Sequence, residues 1–184
     1  MRREAVTTWY LETRSPQELR PARVPDPAPL IMHAQMPLPA LNRFLYSAVG
    51  GDWHWTDRLG WSHARWLQYL DRPQLQTWVM HTCGTPAGYV ELEAQAGGDV
   101  ELAYFGLLPQ FIGKGLGGHL LSVAIRRAWE MHAVKRVWVH TCTLDGPQAL
   151  TNYQARGMVI YKSETVDKEL AETPRRWPDD TDAH

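Results

Sequence analysis

Residues 110–121 read QFIGKGLGGHLL, so Gly113, Gly115, Gly117 and Gly118 lead directly into a helix-like run. Glycine weakens a helix, and four of them at its start mark backbone that must bend unusually or lie bare against something. Amides converging at a helix N-terminus combine N–H donors with partial positive charge, which suits a phosphate. A turn that merely lets a helix pack close to a sheet is the plainer reading of the same residues. No Gly-x-x-x-x-Gly-Lys-Ser/Thr occurs, which argues against a P-loop. The spacing also departs from the Gly-x-Gly-x-x-Gly of dinucleotide-binding turns.

Such a turn must be positioned by its neighbours. Residues 6–12 (VTTWYLE) are β-branched and aromatic and predict a first strand. Residues 16–39 carry a proline cluster and predict an irregular surface segment. From 38 to 49, Leu41, Phe44, Leu45 and Ala48 recur at helical spacing, and a second helix is expected over 62–70 with Ser62 as its cap and Asp71-Arg-Pro as its stop. Three strand-like runs follow, 77–81, 87–93 and 100–107, separated by Gly-Thr-Pro and Gly-Gly-Asp turns and read as an antiparallel meander. After the glycine turn come a buried helix over 115–131, a strand over 136–141, and a short helix opened by Asp145 as cap and closed by Gly157. A last strand over 158–162 completes the pattern. One domain over 1–163 and a polar tail over 164–184 are expected.

The turn resembles the acyl-CoA pyrophosphate loop of the GNAT N-acetyltransferase superfamily, Gln/Arg-x-x-Gly-x-Gly/Ala after the fourth strand, with Gln110, Gly113 and Gly115 in its defining places. Residues 144–158 (LDGPQALTNYQARGM) are similar to the family's later segment through Ala149, Tyr153, Gly157 and Met158. Residues 100–105 (VELAYF) resemble the fourth strand of histone-type members, which carry a glutamate where Glu101 stands. The likeness covers residues 77–162 well and the first 75 poorly.

The resemblance implies an α/β (α+β) GNAT fold: a mixed, mostly antiparallel sheet of six to seven strands with about four helices, splayed between the fourth and fifth strands. It implies acetyl-CoA as cosubstrate and direct attack by a primary amine of a small molecule. A protein acetyltransferase and a non-catalytic CoA-binding sensor are the alternatives. An amine with a free value near 10.4 is ammonium at neutral pH, so a base is needed. Glu101 is the expected base, with Glu91 and Glu93 in reserve; Tyr153 is the expected proton donor to the leaving thiolate. Backbone amides between Phe105 and Leu108, through Gly106 and Leu107, are expected to hold the thioester oxygen and pantetheine, with Gly106 suited to a bulge. Gln110, Ile112, Gly113, Lys114, Gly115, Leu116, Gly117 and Gly118 are expected at the pyrophosphate. One place departs from the family: Gly146 stands where many members have an asparagine, leaving Asp145 or Asn152 to hold the pantetheine arm. For the acceptor, Trp53, Trp55 and Trp61 either wall a pocket, with Asp52 or Asp57 attracting a cation, or fill core. Glu91 and His140 are further candidates to face it.

Composition narrows the partners. The 184 residues carry a formal charge of -1, which offers nucleic acid or an anionic membrane no cationic field. No apolar run approaches a membrane span, and no signal core follows Met1, so a cytoplasmic location is expected. Cys83 and Cys142 are the only cysteines and the eight histidines are scattered, so no disulfide framework and no metal are expected. A homodimer is left open.

Overall fold

The structure, a computed structural model, describes residues 2–170. Seven strands form one sheet: β1 (Arg2–Thr13), β2 (Leu30–His33), β3 (Leu75–Thr82), β4 (Thr85–Ala94), β5 (Asp99–Leu107), β6 (Arg136–Cys142) and β7 (Val159–Leu170). Their order is β2-β3-β4-β5-β6-β1-β7, and every pairing is antiparallel except β5 with β6. Four helices accompany it: α1 (Pro39–Gly50), α2 (His63–Leu70), α3 (Leu116–Trp129) and α4 (Ala149–Ala155). The α/β architecture expected from the sequence is therefore present.

Two apolar layers hold the sheet. On one face Leu116, Leu120, Ala124 and Ala128 of α3, at helical spacing, pack with Leu92, Leu102, Val137 and Val139 from the strands. On the other, α1 lays Leu45 and Val49 against Val79 and Tyr89. Beside them Tyr46, Trp66, Leu70 and Leu75 join α1 and α2 to β3. Ser62 caps α2 as predicted, its hydroxyl accepting from the Arg65 amide.

The parallel pairing of β5 and β6 covers only Asp99 with Arg136, Val100 with Val137 and Glu101 with Trp138. Beyond Glu101 the two strands part. In the count that starts from the predicted elements these are the fourth and fifth strands, so the splay stands where it was expected. The register of β4 with β5 shifts there as well: Glu91 faces Tyr104 while Leu92 faces Leu102, which leaves Ala103 as the extra residue of a bulge. Gly106 was expected at the bulge and is not there. It pairs regularly with Tyr89, and a Cβ at 106 would strike Val49 of α1, so its glycine serves close helix packing.

Three other expectations need correction. The proline-rich segment contains the edge strand β2, and a short 3-10 turn over Pro16–Glu18. The last strand does not stop at Lys162 but pairs with β1 as far as Leu170, through the first residues assigned to the tail. The rest of that tail lies outside the described residues. Asp145 does not cap α4. Its Oδ2 accepts from Thr141 Oγ1 at 2.6 Å and from the Cys142 amide at 2.8 Å, tying the end of β6 to the loop before α4.

Candidate active site

The splay opens a cleft of about 1130 Å³ running from the glycine turn to the loop after α1. Gly113 and Gly115 have φ of 80° and 74°, in the left-handed region that side chains rarely adopt. Nothing lies within 4 Å of a Cβ built on either, so the space in front of the turn is free. Leu116 begins α3, and the first amides of that helix have no intrahelical acceptor. Ile112, Gly113, Gly117 and Gly118 line the cleft; Gln110, Lys114 and Gly115 do not. Lys114 lies over the Phe111 ring, 5.4 Å from its centroid. Leu116 departs from expectation in its side chain, which is buried in the core under α3, so only its backbone can meet a ligand.

Backbone parity sorts the four candidate amides between Phe105 and Leu108. The Leu108 N–H donates to the Ala87 carbonyl at 2.9 Å, toward β4. Strand alternation sends Gly106 the same way and turns the N–H and C=O groups of Phe105 and Leu107 toward the gap left by β6. Leu108 therefore leaves the candidate list, because its amide is already bonded and its side chain packs with α1. Those two free amides border the gap, which is the placement an oxyanion needs.

Tyr153 of α4 lines the cleft at 5% exposure, its ring 5.9 Å from Phe105. Burial, and then the nearby Asp145 charge, hold the phenol well above its ordinary value, so it stays protonated and able to donate. Asn152, one residue earlier, lies beside the first turn of α3: its Nδ2 is 3.9 Å from a Cβ built on Gly117. Gly146 has a local explanation. The Trp53 ring lies 3.4 Å from a Cβ built there, so the indole covers that position.

Glu101 lines the cleft with its side chain 15% exposed. Gln95 Nε2 donates to its Oε2 at 2.8 Å, and His140 Nδ1 is 3.3 Å from its Oε1. Glu93, its partner across β4, also lines the cleft and is tied to Arg72 at 2.7 Å. Glu91 does not reach the cleft, contrary to its expected place at the acceptor. Fully buried, it accepts from Asn42 Nδ2 at 3.0 Å, Arg58 Nη1 at 2.9 Å and the Tyr69 hydroxyl at 2.8 Å. Arg58 in turn stacks between Tyr69 and Tyr104, 3.9 and 4.1 Å from their centroids. Burial works against its charge, and Glu91, with Tyr69 and Tyr104, more than restores it, holding the guanidinium above its ordinary value.

The tryptophan loop divides. Trp53 and Trp55 line the cleft, with Trp55 edge-on to Tyr104 at 4.9 Å, whereas Trp61 packs behind it on Trp66 and Tyr69. Sequence reasoning missed Arg58, Tyr104, Gln95 and Trp138. An arginine inside a tryptophan-rich loop is a visible signal for a stacked cation; nothing local marks Gln95.

The sheet is splayed and mixed with a glycine turn at its mouth, and the family model named Acetyltransferase (GNAT) family matches residues 42–158. The match covers more than half of the chain, which therefore belongs to the GNAT family, whose members generally use acetyl-CoA. Solved structures agree on the fold. A GCN5-related N-acetyltransferase from Kribbella flavida is 19% identical with a TM-score of 0.66 over 90% of this chain. Another from Sphaerobacter thermophilus is 17% identical with a TM-score of 0.62 over 89%. The chain spans 58% and 51% of the lengths of those two proteins. No curated protein is significantly similar in sequence.

Proposed function

We propose that this protein transfers an acetyl group from acetyl-CoA to a primary amine of a small molecule by direct attack in a ternary complex. The observation that carries the reading is that a positive-φ glycine turn, two unpaired strand amides, Glu101 and Tyr153 all border one cleft. Family membership supports acyltransfer in general. The amides of the turn and of the first turn of α3 would hold the pyrophosphate, and Asn152 the pantetheine arm. Glu101 serves the side of the cleft where the amine must lose its proton. Phe105 and Leu107 N–H groups face the thioester oxygen as it gains charge, and Tyr153 protonates the departing thiolate.

Calorimetry with acetyl-CoA and a thiol-release assay against a panel of primary amines test the reading together. Gly115→Val places a β-branched residue at positive φ and a side chain in the free space before the turn. It should weaken acetyl-CoA binding by about 2–3 kcal/mol, roughly 30- to 150-fold. Wild-type affinity in a folded Gly115→Val variant would remove the turn from the binding site.

A further inference from the structure

The carboxylate of Glu101 sits in a chain of two hydrogen bonds and one ion-pair contact that runs from Trp138 to His140. Trp138 Nε1 lies 3.0 Å from Gln95 Oε1, Gln95 Nε2 lies 2.8 Å from Glu101 Oε2, and Glu101 Oε1 lies 3.3 Å from His140 Nδ1. An indole nitrogen can only donate, so Gln95 must turn its carbonyl to Trp138 and its amide N–H to Glu101. The contact with His140 is of ion-pair distance, and a carboxylate, which accepts, favours a hydrogen on the Nδ1 beside it. In the neutral ring that places the hydrogen on Nδ1 and leaves the lone pair on Nε2, pointing away from Glu101. Tyr10 and Trp138, stacked on each other at 6.4 Å, both lie beside the ring, at 6.0 and 6.1 Å between centroids. The imidazole lines the cleft and is 50% exposed, against 15% for Glu101. Both groups line the cleft, and the histidine is the more exposed of the two.

We propose that Nε2 of His140 is the atom that takes the proton from the acceptor amine, with Glu101 and Gln95 as positioning residues. The inference rests on the acetyl-transfer reading of this cleft and moves the proton-accepting atom from the carboxylate to the imidazole 3.3 Å from it. The step balances. The ammonium gives one proton to Nε2, the freed nitrogen lone pair forms the bond to the acyl carbon, and the carbon–sulfur bond breaks. The thiolate takes a proton from Tyr153, which regains one from the nitrogen of the new amide through solvent. Imidazolium is stabilised by Glu101 and releases its Nε2 proton to water, which restores the starting tautomer for the next turnover.

The experiment compares wild type, His140→Gly, His140→Gln and Glu101→Gln by thiol release from acetyl-CoA. The acceptor is the best amine of a panel of alkylamines, arylethylamines and diamines, or water if none exceeds hydrolysis. We expect His140→Gly to lower kcat on the order of 10²-fold with the KM for acetyl-CoA unchanged. Added imidazole should return at least a tenfold part of that loss in His140→Gly and none of the loss in Glu101→Gln. A packing role for His140 would show no such rescue. Wild-type kcat in His140→Gly overturns the proposal, as does a loss that imidazole leaves untouched. Long-range proton–nitrogen NMR correlations of the wild-type histidine rings, with His140 assigned by its loss in His140→Gln, add a test that needs no acceptor. Hydrogen on Nδ1 supports the dyad, and hydrogen on Nε2 overturns it. Failure of wild type to bind acetyl-CoA would instead sink the reading of the cleft itself.

Discussion

Glu91 and Glu101 stand on adjacent strands and on the same face of the sheet, since Glu101 pairs directly with Glu93, two residues along from Glu91. Their surroundings are opposite. Around Glu91 the chain supplies three donors, one of them the stacked Arg58 guanidinium, beside the buried Tyr46 and Tyr89 and the half-buried Tyr69 and Tyr104. Around Glu101 the partners are one glutamine and one half-exposed histidine, at the edge of a cleft. A fully buried carboxylate held by three donors from three different segments fastens α1, α2 and the 51–61 loop to the sheet. One whose partner opens to the cleft can take part in proton transfer. Exposure of the partner, more than of the carboxylate, separates the two roles.

The widest gap between the regions should appear on the alkaline side. Burial raises the values of Tyr46, Tyr69, Tyr89 and Tyr104 above their ordinary 10, with Glu91 adding to the rise at Tyr69 and Tyr89. The folded state then holds these protons more tightly than the unfolded chain. Stability is fully present below about pH 10 and falls as pH rises beyond it. Tyr46 and Tyr89, both fully buried, alone remove up to about 3 kcal/mol per pH unit there. Tyrosinate absorbance near 295 nm should therefore rise together with loss of secondary structure. Gradual ionisation in a folded protein would break the picture of a buried region.

Next in size is Glu91→Gln, which leaves Arg58 a buried charge without its counter-ion and should cost about 3–5 kcal/mol of stability. Chemical denaturation measures it. Unchanged stability would mean that water reaches the guanidinium. Glu101→Gln should do the reverse: stability within about 0.5 kcal/mol, and turnover lower by about 10²- to 10³-fold at neutral pH. That defect should shrink toward alkaline pH, where the acceptor sheds its own proton near its value of about 10.4. A defect that is flat with pH would take Glu101 out of proton transfer, either as base or as support for His140.

What could be read from the sequence follows the same division. The glycine turn was legible because positive φ at Gly113 and Gly115 restricts residue type locally, and α3 because its apolar spacing is long and regular. Strand β2 was not, since four residues in a proline-rich segment become a strand only by pairing with β3. The polar end of β7 likewise takes its form from β1. Glu101 ranked ahead of Glu91 and Glu93 only through the resemblance, because alternation places all three on one face and says no more. Their roles were decided by Arg58, from a loop with no periodic signal, by the bulge at Ala103, and by Gln95, whose side chain reaches Glu101 only because of the turn between β4 and β5.

The smallest expected effect concerns the other wall of the cleft and sharpens the comparison from the acid side. Tyr153 shares with the tyrosines around Glu91 a value raised by burial, but unlike Glu91 it borders the cleft. A protonated phenol throughout the physiological range can donate at any working pH, so Tyr153 should place no alkaline limb on the rate below about pH 10. Tyr153→Phe keeps the ring against Phe105 and removes only the hydroxyl. Affinity for acetyl-CoA should stay within about twofold, because the hydroxyl matters only as the thiolate leaves. Turnover should fall by about 10- to 10²-fold, less than for Glu101→Gln, since a thiolate is a good leaving group and water can supply part of the proton. Acetylthiocholine-like esters are not needed to see this: acetyl-CoA analogues whose leaving thiols have lower values should lose progressively less when the hydroxyl is removed. Equal losses across such a series would mean that Tyr153 supports the cleft wall by packing and that the proton reaches sulfur from solvent.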